Sequence, residues 1–216
     1  QQGQVDLSQQ FAPQIWQMWE DKGLPVGTWF KEAPYHLPGN IPLLHINLHK
    51  PGLDNVQVRR ALAYAINYPQ IAETAMSRYS VPAQPSLIIP SGGEEKFFNA
   101  DQVAELGWEY NPEESRRILE EEVGATKGND GIYVLPDGTR VGPWKVNAVY
   151  GWTDWMTAVE LVAQNAAEAG FDISTEFPEA PVLTARRNAG DFDMLIWTFT
   201  GASPASPWAR FRDALD

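Results

Sequence analysis

Residues 144–178 allow this chain little freedom, because they spell out a strand, a helix and a second strand in succession. Trp144-Lys-Val-Asn-Ala-Val-Tyr150 is rich in β-formers and largely alternates apolar with polar residues, and Gly151 closes it. Apolar residues then recur at Trp155, Val159, Val162, Ala166 and Ala169, the spacing of one buried helix face. Thr153 or Asp154 supplies a capping oxygen at its start, and Gly170 stands where a left-handed closing residue belongs. Asp172-Ile-Ser-Thr-Glu-Phe177 is the second strand, stopped by Pro178. Such a crossover joins parallel strands. Ligands of open α/β sheets bind beyond the carboxyl ends of the strands, which puts Tyr150, Trp152, Asp154 and Trp155 at the mouth of a site. The plainer reading is that one or both tryptophans merely cover the end of the sheet.

Flanking segments extend this unit. Ile41–Leu48 is mostly apolar and reads as a central strand buried on both faces. A helix over Val56–Asn67 follows, with Asp54 or Asn55 as its cap, and another begins at Pro69. Ala100 is followed by a short helix over Asp101–Leu106, and Asn111-Pro-Glu-Glu opens one running to about Glu122. Ile132–Val141 reads as a hairpin, Pro181–Asn188 as a short helix and Phe192–Thr200 as a strong strand whose carboxyl end faces the same mouth as Trp152. Trp208–Leu215 is a last amphipathic helix. Near the start, Gln4–Ser8 is strand-like and Gln9–Lys22 helical, with Leu24–Asn40 an irregular loop.

Composition removes several function classes. A length of 216 residues suits one α/β domain or two small ones. There is no cysteine, hence no disulfide framework and no thiolate chemistry. With 28 acidic against 16 basic residues the net charge is −12, which argues against nucleic acid or an anionic membrane as partner. No apolar run approaches the ~18 residues of a membrane helix. Nine tryptophans are an excess over core-filling needs and point to recognition of a flat, ring-shaped ligand.

Catalytic patterns are thin. A glycosidase needs two carboxylates about 5–10 Å apart, and Glu176 with Glu179, or Asp191 with Asp193, are the close candidates. His36, His45 and His49 read as packing or surface residues. No cofactor loop and no metal cluster is present, and Asn129-Asp-Gly131 lacks the alternating ligands of a calcium loop.

Asn47-Leu-His-Lys-Pro-Gly-Leu-Asp-Asn-Val-Gln-Val-Arg-Arg-Ala-Leu-Ala-Tyr-Ala-Ile-Asn67 resembles the signature of bacterial extracellular solute-binding proteins of family 5, the binding components of ABC importers. Tyr110-Asn-Pro-Glu-Glu-Ser-Arg-Arg-Ile-Leu119, Ala163–Ile173 and Gly190-Asp-Phe-Asp-Met194 resemble its later landmarks, in the same order. The resemblance implies an α/β fold, one lobe of a type II periplasmic-binding-protein fold with a mixed, mostly parallel sheet flanked by helices. It implies that residues 1–216 form a single ligand-binding lobe, without the N-terminal lobe and the C-terminal return. The start at Gln1 without Met fits a processed or excised piece. It further implies an extracytoplasmic location, a membrane permease as partner, no enzyme activity, and a monomer or weak dimer for the lobe alone, whose affinity is low or nil.

Peptide binders of the family carry an acid after the Phe-Asp-Met strand. Here that segment is Trp197-Thr-Phe-Thr-Gly-Ala-Ser-Pro204, which has none. The departure is similar to the oligosaccharide-type branch, whose ligands are β-linked cello- or manno-oligosaccharides; an oligopeptide is the alternative. Indole faces stack on pyranose rings while carboxylates, amides and hydroxyls take the sugar hydroxyls. On that basis the expected platforms are Trp152, Trp155, Trp197 and Phe199, and the expected polar partners Asn47, Asp154, Glu179 and Thr200.

Overall fold

The strand–helix–strand unit forms as the pattern dictates. β4 (Trp144–Asn147) and β5 (Ile173–Glu176) run parallel in register, with Trp144 opposite Ile173 and Asn147 opposite Glu176. Between them α6 (Thr153–Ala169) buries Ala158, Val159, Val162, Ala166 and Ala169. The computed structural model describes residues 4, 6–8, 11–199, 201 and 206–215. The cap of α6 differs from expectation: Trp152 is the N-cap residue and no side chain caps the helix. Its other end is as expected, with Gly170 at φ 96° and its N–H returned to Ala166 and Ala167. A Cβ there would stand 2.6 Å from the Tyr133 ring. Gly170→Ala is therefore expected to cost about 1–2 kcal/mol in chemical denaturation, and a midpoint unchanged from wild type would refute this account of the turn.

The remaining strands complete a mixed sheet in the order β1-β6-β4-β5, where β1 is Pro42–Ile46 and β6 is Met194–Thr198. β6 is parallel to β4, but β1 is antiparallel to β6 and lies at the edge. The expectation of a central β1 is corrected here. Its five residues are all half-buried, because neighbouring segments cover both of its faces and make an edge strand as apolar as an inner one. Two further short strands, β2 (Thr126–Lys127) and β3 (Tyr133–Val134), pair with each other, and the expected Ile132–Val141 hairpin forms as a short one, with the antiparallel bridge Val134–Arg140, the Leu135 N–H on the Thr139 carbonyl and the Val141 N–H on the Tyr133 carbonyl.

Helices cover the two faces differently. On one side α6 packs with α2 (Val56–Ala65), joined through Val146, Ile173, Met194 and Ile196 into the main core. On the other, Leu183 of α7 (Ala180–Ala189) meets Val149, Leu195 and Trp197. α2 is capped by Asn55, whose side chain accepts from the N–H groups of Gln57 and Val58. Further along, α3 (Tyr68–Gln70) runs on as a π turn over Ile71–Ala75. α4 (Ala100–Leu106) and α5 (Pro112–Arg117) are capped by Asn99 and Asn111, and α5 also continues as a π turn, Ile118–Glu122.

The N-terminal region departs from expectation. Gln4 and Asp6–Ser8 form no strand. The helix expected over Gln9–Lys22 shrinks to one turn, α1 (Gln17–Glu20), behind Pro13 and a left-handed Gln14 at φ 50°. At the other end, α8 (Trp208–Leu215) buries Arg210, which is 1% exposed. Its guanidinium donates to both carboxylate oxygens of Glu94 at 2.8 and 2.9 Å and to the Leu87 carbonyl at 2.6 Å. Glu94 in turn accepts from the Ile89 N–H, so the loop over 87–94 is wrapped around one charge pair.

Candidate functional site

Chain direction reverses between β4 and β6. From β4 the chain moves outward to β5 through α6, then returns through α7 to β6 on the other side of β4. That reversal opens a crevice at the carboxyl ends of β4 and β6, where open α/β sheets place ligands. Three tryptophans meet there. Trp152 stacks on Trp197 with ring centroids 6.2 Å apart and planes 23° from parallel. Trp155 stands edge-on to both, 4.9 Å from Trp152 and 6.2 Å from Trp197. Offset and edge-on contacts of this kind satisfy the ring quadrupoles and fix each indole against the next.

Exposure divides the three. Trp152 is 43% exposed, whereas Trp155 packs onto the main core and Trp197 onto the Leu183 side. At 6.2 Å there is no room for a ring between Trp152 and Trp197, so a stacking ligand takes the free face of Trp152. The Arg187 guanidinium lies 4.3 Å from the Trp197 centroid and backs that indole with a cation–π contact. Nothing in the local sequence around Arg187 signals that contact, which depends on how α7 packs across β6. Tyr150 is 60% exposed beside the cluster, and its N–H binds the Pro178 carbonyl, tying the loops after β4 and β5 together.

The other expected site residues divide. Asp154, in the first turn of α6, is half-buried and makes no ion pair among the described residues. Burial pushes its carboxyl above the usual aspartate value, outweighing the backbone N–H groups of Trp155 and of Asp154 itself that favour the charge. The folded state then holds a proton that the unfolded chain has released, so this group's contribution to stability falls as pH rises from about 4 through the raised value. Asp154→Asn is expected to raise the neutral-pH melting temperature by about 1–3 °C, a rise that shrinks on acidification. A melting temperature lower at pH 7 than wild type would contradict this.

Glu179 is exposed at the start of α7 on the same edge, and its side chain caps nothing. Phe199 does not join the tryptophans; it covers His45, with centroids 4.7 Å apart. His45 is packed rather than presented, and burial, with Arg187 nearby, lowers its pKa. Thr200 lies outside the described residues. Asn47 is a correction. Because β1 runs antiparallel to β6, the carboxyl end of β1 lies beside the start of β6, the far end of the sheet from the tryptophans. There its amide donates to the Gly190 and Phe192 carbonyls at 3.0 and 2.8 Å, a structural brace.

Of the four carboxylates considered for hydrolysis, Glu176 and Asp193 are held in ion pairs. Glu176 pairs with Arg186 at 3.2 Å and Lys145 at 3.6 Å, and Asp193 holds Lys50 at 3.0 Å and the Lys145 N–H at 2.9 Å. Among the described residues no cluster of His, Cys, Asp or Glu is arranged to hold a metal ion.

Sequence reasoning missed a cavity of about 370 Å³ beside Trp155, between α6, α3 and β1 and roofed by residues 36–42, 79–84 and 88–90. Asp154 and Trp155 form one wall of it. The segments that roof it carry no helical or strand period, so no sequence pattern announces it.

The match to the family model for bacterial extracellular solute-binding proteins, family 5 Middle, spans residues 1–212. The chain belongs to that family. Among solved structures, a mannohexaose-bound oligopeptide ABC transporter periplasmic oligopeptide-binding protein from Thermotoga maritima shares 31% identity, with a TM-score of 0.82 over 94% of this chain. The match covers 37% of the Thermotoga chain, so this chain spans well under half the length of that relative. AppA from Bacillus subtilis, in complex with a nonapeptide, has a TM-score of 0.62 at 19% identity, covering 76% of this chain and 32% of its own. NikZ from Campylobacter jejuni, in complex with Ni(L-His), has a TM-score of 0.61 at 18% identity, covering 76% and 30%. These last two share the fold. No curated protein sequence matches the chain. The family and these neighbours are periplasmic binding proteins, and the mixed sheet flanked by helices is their fold class. Among the described residues no helix is long and apolar enough to cross a membrane.

Proposed function

We propose that residues 1–216 are a single ligand-binding lobe of an extracytoplasmic solute-binding protein that serves an ABC importer, with a β-linked oligosaccharide of cello or manno type as its solute. The observation that carries this reading is the convergence of Trp152, Trp155 and Trp197 at the reversal point of the sheet, with the free indole face on Trp152. A flat apolar face beside the half-buried Asp154 and the exposed Glu179 and Tyr150 matches a pyranose, which has an apolar C–H face and a rim of hydroxyls. The mannohexaose bound to the Thermotoga neighbour supports the same chemistry. A second lobe closes over the sugar, and the closed form docks on a membrane permease.

A peptide is the second reading, favoured by Asp154: an unpaired, half-buried carboxylate beside aromatic rings suits a terminal amine. Thermal-shift titration of the full-length protein with cello-, manno- and xylo-oligosaccharides and with a peptide mixture separates the two. Ligand at a hundred times its Kd adds about 2.7 kcal/mol to stability, so the true solute class raises the melting temperature by several degrees. Protection by peptides and not by sugars would replace the saccharide reading.

A further inference from the structure

The cavity behind Trp155 has no place in the binding of an unsubstituted sugar. Its walls are Leu44, Ile66, Ile71, Val159, Val162 and Ile196, all apolar. Of the polar side chains that line it, Tyr68 and Gln84 are engaged, and Asp154 stands beside Trp155. The Tyr68 hydroxyl donates to the Ala63 carbonyl at 2.9 Å and accepts from the Trp108 indole N–H at 2.9 Å. The Gln84 amide donates to the carbonyls of Ser86 and Ile88, and its oxygen accepts the Ser86 N–H. A sugar ring buried among these apolar walls would leave most of its hydroxyls without partners, at a cost in desolvation. An apolar group meets no such cost, and about 370 Å³ lies within the range of small-ligand sites.

The cavity borders the saccharide platform. Trp155 is shared: it stands edge-on to Trp152 and Trp197 and also forms a wall of the cavity, with Asp154 beside it. Tyr68 and Tyr79 add aromatic surface opposite, suited to edge and offset contacts with another ring. We infer that the cavity is a second subsite that receives an aryl substituent of the saccharide, an aromatic acyl ester or aromatic aglycone, while the sugar rings lie on Trp152. This rests on the saccharide reading above and narrows its ligand class from plain to aryl-substituted oligosaccharides.

Calorimetric titration of the full-length protein tests it, with cellobiose and mannobiose compared with their 4-nitrophenyl β-glycosides. The aryl glycoside is expected to bind about tenfold more tightly or better than the free disaccharide. Ala158→Leu and Ala72→Leu fill the cavity from opposite walls, and either is expected to abolish that advantage while leaving the free disaccharide within about twofold; two variants guard against one that does not fold. Equal affinity for both ligand forms, or an advantage that survives both fillings, overturns the inference and leaves the saccharide reading standing. No binding of any of the sugars removes the saccharide reading, and this inference with it.

Discussion

Arg210→Met is expected to melt some 6–20 °C below wild type. The guanidinium is 1% exposed and meets Glu94 through two contacts, at 2.8 and 2.9 Å, so removing it takes the countercharge from a buried carboxylate. Breaking one side of a buried pair costs about 3–5 kcal/mol, and each kcal/mol moves the midpoint of a chain this size by about 2–4 °C. The same change frees the Leu87 carbonyl and loosens the grip of Glu94 on the Ile89 N–H, which together hold the loop roofing the cavity. Replacing both partners, Arg210→Met with Glu94→Leu, is expected to recover a large part of the loss, since no unpaired charge is then left inside. Scanning calorimetry of the two variants decides the matter. A single variant within about 2 °C of wild type would show that water reaches the pair, against its burial here.

On the proposed saccharide reading, Trp152→Ala is expected to weaken oligosaccharide binding by about 10–100-fold, the usual consequence of removing a stacking aromatic from the centre of a binding face. The melting temperature should move little, because Trp152 is 43% exposed and sits ahead of α6 rather than in its packed stripe. Trp152→Phe keeps a flat face and should retain most of the affinity. Trp155→Ala differs in kind: that indole also packs onto the main core and should lose stability and affinity together. Calorimetric titration with mannohexaose or cellohexaose, beside thermal melts of the same samples, separates the two behaviours. Affinity unchanged in Trp152→Ala would remove the indole platform from the mechanism.

Much of the fold is written in end signals. Asn55, Asn111 and Gly170 announce helix ends through local hydrogen-bond chemistry that needs no tertiary partner, and each does what its residue type implies. The meeting of Trp152 with Trp197 is legible because one tryptophan just after β4 and one near the end of β6 obey one geometric rule at the carboxyl ends of parallel strands. That rule fails for Asn47, since a strand's direction in the sheet is set by its partner and leaves no mark in its own residues. Phe199 fails for a related reason: alternation fixes the face on which it lies, but not that His45 of the neighbouring strand fills the space beneath it. The π turns at Ile71–Ala75 and Ile118–Glu122 were read as plain helix, because one added residue in a turn scarcely alters the apolar spacing.

The pairing of β1 with β6 joins Pro42 to Thr198, positions separated by most of the chain. Local nucleation builds β4, α6 and β5 from one contiguous stretch, but the sheet cannot be finished until everything between those two strands has been threaded into place. Contacts of such long sequence separation carry the entropic cost of closing a large loop before they return any stabilisation. Wherever the first strand of the polypeptide is not yet docked, the flank of β6 stands open to any other extended segment.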